Sequence, residues 1–378
     1  MADRESEVLA RLAPGVATLD ARQWDGLAGG DPFLSHTFLS ALEDSGSVGP
    51  GTGWSPAPIL IEEDERLLAA APAYLKSHSQ GEYVFDHGWA DAWERAGGAY
   101  YPKLQIAVPF TPVPGPRLLG SRPQQLLAAA EAVAVQNNLS SAHITFIDKS
   151  GAAECARRGW LMRHGIQYHW FNRSYASFDD FLATLSSRKR KAIRKERATA
   201  RDGITFRELR GAEIGRAEWD AMWAFYQDTG SRKWGRPYLS REFFDLIGER
   251  MGDQLLLFLA DRGGRPIAGA LNVIGPDALY GRYWGTIDDV RFLHFELSYY
   301  QAIEWAIEHG VKAVQAGAQG EHKIARGYEP VITRSAHFIP NRSFRDAIAD
   351  FLESERASID QEIEWLRRDL PYRWSSSE

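Results

Sequence analysis

The sequence predicts an α/β chain of α+β type: two similar halves in tandem, each a mixed sheet flanked by helices. Three observations predict it. Two hairpins of the same pattern occur far apart in the chain, an amphipathic helix follows each, and a short apolar strand closes each unit. The 378 residues, 44% of them apolar, are enough for two ordinary cores.

In the first half, residues 59–80 read ILIEEDERLLAAAPAYLKSHSQ: a strand, a charged turn at Glu62–Arg66 and a second strand. In the second half, residues 256–275 read LLFLADRGGRPIAGALNVIG, with the turn now at Asp261–Arg265. Each hairpin leads into an aromatic segment predicted as a third strand, Glu82–Trp89 and Ala278–Gly285. Helices are predicted over Gln124–Asn138 and Phe295–His309, the latter with Leu297, Tyr300, Ile303 and Ile307 at three- and four-residue spacing. Ala142–Ile147 and Val311–Gln315 close the two units. Between strand and helix the first half carries a long segment, 90–122. It reads as an insertion forming a lobe on the substrate side, because Tyr100, Tyr101, Phe110 and Val113 stand among its prolines. The expected boundaries are 1–165, 166–340 and a helical extension at 341–378, where Ile348, Leu352, Ile359, Ile363 and Leu366 mark an amphipathic pattern.

Composition narrows the function. A net charge of −6 disfavours coating of nucleic acid by the whole surface, so any polyanion site is local. A single cysteine, Cys155, excludes an internal disulfide and a cysteine-cluster metal site, which fits a reducing cytoplasm. The N-terminus does not read as a secretory signal, and the apolar run around Leu126–Val135 is too short for a membrane span. No Gly-x-Ser-x-Gly elbow, His-Glu-x-x-His or phosphate-binding Walker loop is present.

One segment breaks the acidic balance. Residues 178–201 read FDDFLATLSSRKRKAIRKERATAR and are predicted as one helix. Phe178, Phe181, Leu182, Leu185 and Ile193 form its apolar stripe, and Asp179 and Asp180 suit its positive end. Its cations, Arg188, Lys189 and Lys191 foremost, form either a solvated face or a ridge for a carrier's phosphates.

Acyl transfer to an amine needs a proton acceptor and donors for a developing oxyanion, and neither a metal nor a covalent enzyme intermediate. Gln319–Tyr328, directly after a closing strand, offers Glu321 and His322 as proton acceptors and Lys323 and Arg326 as grips for a carboxylate or phosphate. Glu296, at the start of the second amphipathic helix, is a third candidate base or a helix-capping acid. Arg232, Lys233 and Trp234 can hold an anionic group beside a ring. His87, Trp89, Tyr101, Lys103 and Trp284 are the remaining candidates for an acceptor cleft. A mixed sheet of this order splays where its central strands part, and such a gap can take an extended acyl carrier. Asp288–His294, with two acids and one arginine, argues against ordinary acetyl-CoA binding at the second helix.

Leu185–Arg197 followed by Asp202–Phe206 resembles the helix–turn–strand of FemABX peptidyltransferases, and the order through Trp219–Gly230 and Arg232–Leu239 agrees. Over about residues 15–345 the chain is similar to the FemAB-like predicted N-acyltransferases, a group within the GNAT superfamily. The segments carrying this are Gly88–Ala92, Tyr100–Leu104, Pro109–Arg117, Lys233–Pro237 and Gln319–Tyr328. The resemblance implies two GNAT-like domains, of the acyl-CoA N-acyltransferase fold, in tandem. It implies transfer of an acyl or aminoacyl group to an amine-bearing small molecule or peptide. The co-substrate would be an acyl-CoA or aminoacyl-tRNA, with no permanently bound cofactor. Two other readings stand beside it: a non-catalytic module recognising tRNA or a nucleotide through the basic helix, and Fem-type aminoacyl transfer to a peptidoglycan precursor. The C-terminal helices offer a homodimer contact.

Overall fold

The computed structural model describes residues 8–234, 237–317 and 320–373. In chain order the first elements are β1 (Val8–Leu12), α1 (Ala21–Ala28), α2 (His36–Asp44), β2 (Trp54–Pro56), β3 (Ile59–Glu63), β4 (Arg66–Ala71) and β5 (Ala73–Lys76). They are followed by α3 (His87–Arg95), β6 (Lys103–Ile106), β7 (Leu119–Gly120), α4 (Pro123–Gln136), β8 (Ala142–Ile144) and α5 (Lys149–Arg157). Then come β9 (Leu161–Phe171), α6 (Phe178–Thr184), α7 (Ser187–Ala200), β10 (Thr205–Arg210), α8 (Arg216–Trp234) and α9 (Arg241–Met251). The last group is β11 (Leu255–Arg262), β12 (Arg265–Ile274), β13 (Ala278–Thr286), α10 (Leu293–Phe295), α11 (Gln301–Glu308), β14 (Ala313–Gln315), β15 (Glu329–Phe338) and α12 (Arg342–Arg368).

The chain divides into two compact units, residues 1–165 with 332–360, and residues 166–331 with 361–378. The stretch expected as a separate extension at 341–378 is thus apportioned between the two. Residues 342–368 of it form one continuous helix, α12.

Both predicted hairpins form, and for the same local reason. Asp64 and Glu65 (φ 47° and 63°) turn β3 into β4, and Gly263 and Gly264 (φ 58° and 76°) turn β11 into β12. Two successive left-handed residues give a turn whose twist matches that of the strands it joins.

The first unit departs from the expected layout. Glu82–Trp89 is not a strand: Tyr83 lies in the left-handed region (φ 58°), which interrupts any extended run, and α3 begins at His87. Its place is taken by β6, which pairs antiparallel with β5 and parallel with β8. The segment 90–122 is therefore no insertion, because it supplies a strand of the sheet. Leu104, Ile106, Ala142 and Ile144 on that sheet pack with Leu126, Leu127, Ala130 and Ala134 of α4 into one core.

In the second unit β10, β11, β12 and β13 run antiparallel in sequence order, and β14 joins β13 parallel. Leu256, Phe258, Ala268 and Ala270 of this sheet share a core with Leu297, Tyr300, Ile303 and Ala306 of the helix that follows β13. The predicted basic helix 178–201 is two helices, α6 and α7. Thr184–Ser186 bond to the chain's last described residues: Ser186 N–H donates to Pro371 O (2.8 Å), and Arg373 N–H donates to Thr184 O (2.8 Å). Leu185 is left extended (φ −86°, ψ 157°), which ends α6. The segment bonded at the break is distant in sequence.

Candidate active site

The second unit holds a cleft of about 100 Å3 lined by β12, β13, the start of the following helix and the two residues after β14. Three local irregularities create it. First, the β12–β13 register slips, so that Leu271 faces Tyr283 while Asn272 faces Gly281, leaving Arg282 as an extra residue on β13. Second, β14 accompanies β13 only from Ala278 to Tyr280, and β13 runs on to Thr286. Past Tyr280 the parallel pairing with β14 stops among the described residues, and Gly281, Arg282, Tyr283 and Trp284 of β13 line the cleft. Third, a π-helical turn at Glu296–Tyr300 lies between α10 and α11, and it delivers Ser298 and Tyr299 to the cleft.

Trp284, His294 and Tyr299 make the aromatic part of the lining, with the Trp284 and His294 rings 5.0 Å apart and those of His294 and Tyr299 5.2 Å apart. Tyr299 Oη lies 2.9 Å from His322 Nε2. Burial pushes the Tyr299 phenol well above its ordinary range, so it is protonated. His322 is exposed. The pair thus joins the cleft to solvent through one hydrogen bond. Lys323 is 1% exposed and donates to the carbonyl of Gly317 (2.8 Å), a cleft residue. Burial pushes its ammonium down to about 7. Burial, reinforced by Lys323, also pushes His169 down to about 4.

The chain matches the FemAB-like family model, described as peptidoglycan biosynthesis/recognition, over residues 15–374. It belongs to the FemAB-like family. The expected fold class, α/β with two GNAT-like halves in tandem, holds for this family member. Among solved structures, FemX is similar at 13% identity, covering 88% of this chain and 98% of that one, with a TM-score of 0.54. A conserved protein of unknown function from Bacteroides thetaiotaomicron matches at 10% identity over 87% of this chain and 99% of its own, TM-score 0.52. L-PGS from Bacillus licheniformis matches at 12% identity over 85% and 97%, TM-score 0.50. No curated protein matches the chain by sequence.

In this FemAB-like chain the candidate residues of the second unit fall into four groups. Trp284, His322 and Lys323 are at or beside the cleft, and Glu321 is exposed at the start of the same 3-10 turn. Glu296 and Arg326 are committed elsewhere, which corrects their expected roles. Glu296 is fully buried, and its carboxylate accepts from Arg197 (3.0 and 3.1 Å) and Arg201 (2.6 and 2.9 Å), so it is an ion-pair anchor for α7, not a base or a cap. Arg326 donates to both oxygens of Glu196 (2.9 Å each) and to His322 O, and it stacks 3.5 Å over the Phe295 ring, so its guanidinium is not open to a phosphate. Arg188 and Lys191 are exposed and Lys189 half-buried on the first turns of α7. The side chains of Arg232, Lys233 and Trp234 lie outside the described residues.

The expected acceptor set in the first unit proves to be a buried network. Lys103 is fully buried and donates to Glu82 (2.8 Å), Ser79 (2.8 Å) and Asp86. Burial works against its charge, yet Glu82 and Asp86 outweigh it and hold the ammonium above its usual range. Tyr100 Oη donates to Asp86 (2.7 Å), and Tyr101 Oη pairs with Ser79 (2.8 Å). Trp89 packs edge-on to His337 (4.9 Å), whose Nδ1 lies 2.7 Å from His143 Nδ1. Burial pushes His143 down to about 3, so this imidazole is neutral. His87 is exposed at the start of α3, apart from the network. Sequence reading missed Glu82, His143 and His337. Nothing in the local pattern marks them, because strands β6, β8 and β15 bring them together. Asn272, Ser298 and Tyr299 were missed in the cleft for the same reason: the bulge and the π turn present them.

Proposed function

We propose that this protein transfers an acyl or aminoacyl group from an activated carrier to an amine, with the reacting carbonyl seated in the cleft of the second unit. The observation that carries this is the end of β13–β14 pairing at Tyr280, beyond which Gly281–Trp284 of β13 line a cleft; backbone N–H groups of that edge are the donors this reading assigns. Such donors suit the oxygen of a tetrahedral intermediate, because they are oriented before the reaction begins.

The amine nitrogen attacks the carbonyl carbon of the thioester or ester. Its proton passes to Tyr299 Oη as the phenol's own proton moves to His322 Nε2. When the carbon–sulfur or carbon–oxygen bond breaks, the proton on His322 returns by the same path to the leaving thiolate or alkoxide. No covalent bond to the enzyme is needed. The family's description supports a peptide amine of a peptidoglycan-type molecule as acceptor, and acyl-CoA or aminoacyl-tRNA are the donors to try. Among the described residues no helix is long and apolar enough to cross a membrane. A cytoplasmic setting is part of this reading, as is a homodimer contact through α12, where Trp365 is 59% exposed.

The test is incubation of the purified chain with acyl-CoAs or charged tRNAs and amine acceptors, read by mass spectrometry of the product. Tyr299→Phe and His322→Ala are expected to lower kcat by about a hundredfold while leaving donor KM near the wild-type value. Binding of neither donor, or variants as active as the wild type, overturns the assignment.

A second reading has its own observation. Arg188 and Lys191 are exposed on the first turns of α7, where the helix dipole disfavours cations. A bound polyanion would offset that cost, which supports recognition of tRNA or a nucleotide by this face.

A further inference from the structure

Asn272 lies on β12 at the register slip and is 1% exposed. Its Nδ2 donates to the backbone carbonyls of Ala270 (3.1 Å) and Leu256 (3.3 Å). Both neighbours are acceptors, so the amide can be oriented only one way, with Oδ1 turned from them. Oδ1 is buried and meets no donor among the described residues. It lies near Gly281, its register partner on β13 beside the slip. A Cβ at Gly281 would lie 3.5 Å from Asn272 Oδ1 and 3.5 Å from Ala316 Cα. Asn272, Gly281 and Ala316 all line the cleft. The Ser298 hydroxyl lines it too, and its Oγ is likewise buried without a partner among the described residues. Native interiors pair such atoms almost without exception, so an orphaned acceptor fixed by two bonds on a residue of the cleft wall marks a place for a ligand's donor.

We infer that Asn272 Oδ1 and Ser298 Oγ form a subsite for an N–H group carried by the acyl donor. This rests on the assignment of the cleft to the donor and adds a specificity to it: the bound group bears an amide or amine hydrogen near its reacting carbonyl. Two sources have that chemistry, the amide-bearing arm of a coenzyme A carrier and the amino group of an aminoacyl residue. Asn272 is a specificity residue in this scheme and transfers no proton.

The experiment is calorimetric titration of the full chain with three probes: coenzyme A, 3′-alanylamido-3′-deoxyadenosine, and the 3′-propionylamido analogue that lacks the amino group. The variants are Asn272→Leu, which removes the acceptor, Ser298→Ala, and Gly281→Ala. The last sets a methyl at ordinary contact distance over Oδ1, so it covers the acceptor without disturbing the sheet, and it stands in if Asn272→Leu fails to fold. The wild type is expected to bind coenzyme A or the alanyl probe, and Asn272→Leu and Gly281→Ala to weaken that Kd by about tenfold or more. Weakened coenzyme A binding identifies the carrier arm as the source. Weakened alanyl binding with the propionyl probe unaffected identifies the amino group. A probe that binds the wild type and both variants within about twofold sinks the subsite while leaving the donor cleft standing. Failure of every probe to bind the wild type overturns both.

Discussion

Two buried lysines show how one residue type is given opposite properties. Lys103 keeps its charge because Glu82 and Asp86 stand against it, whereas Lys323 has a single backbone carbonyl and no carboxylate among the described residues to offset its burial. The consequence for Lys323 has a definite sign. Its folded pKa, about 7, lies below the unfolded value of 10.5, so between those limits the unfolded chain binds more protons. Stability from this group therefore rises as pH increases from 7 towards 10.5, and it falls to its lowest level below 7. Relative to Lys323→Met, which lacks the effect, the wild type is expected to gain about 2 kcal/mol between pH 7 and pH 9, at about 1.4 kcal/mol per pH unit. Urea denaturation of both proteins at the two pH values measures it. A difference between the two proteins that does not change with pH would mean that Lys323 is not shielded from water as described. Lys323 was legible in the sequence as a cation after a closing strand. Its neutralising surroundings were not, because burial is a property of the fold.

At the level of elements, the second unit depends on a helix laid closely over the sheet. Gly285 on β13 is where α8 crosses: a Cβ there would meet the carbonyl oxygen of Phe225 at 2.1 Å. That atom is backbone, so it cannot swing aside, and α8 would have to move as a body. Gly285→Ala is expected to destabilise the second unit by about 1–3 kcal/mol, seen as a lowered transition in calorimetry. An unchanged thermogram would show that α8 does not hold this position. The hairpins of both units were readable because their turn residues and strand alternation are local. The third strand of the first unit was not. Aromatic residues at 83–89 suggested a strand, but the pairing partner of β5 comes from 103–106, and only inter-strand hydrogen bonds choose between them.

Over the whole molecule, the net charge of −6 and the cations of α7 make opposite statements about polyanions, and position decides between them. Exposed Arg188 and Lys191 form a local face whose field a bound phosphate would feel within a Debye length, whatever the distant carboxylates do. Binding of bulk tRNA is expected to weaken with salt, and Arg188→Glu with Lys191→Glu to lower the slope of log Kd against log salt by about one for each phosphate no longer neutralised. Filter binding across a salt series measures this. A slope unchanged by the double reversal would assign the face to solvent.

The sequence alone determined the fold class, the tandem repeat and the FemAB-like membership, because alternation, turn chemistry and the order of motifs are written in neighbouring residues. It also brought Trp284, His322 and Lys323 forward as candidates. Tertiary structure decided their company. It broke the basic helix at Leu185, locked Glu296 and Arg326 into ion pairs, drew Lys103 into a buried network, and opened a cleft with Asn272, Ser298 and Tyr299 on its wall. Each of those outcomes depends on which distant backbone or charge comes within a few ångströms. Local pattern carries no record of that.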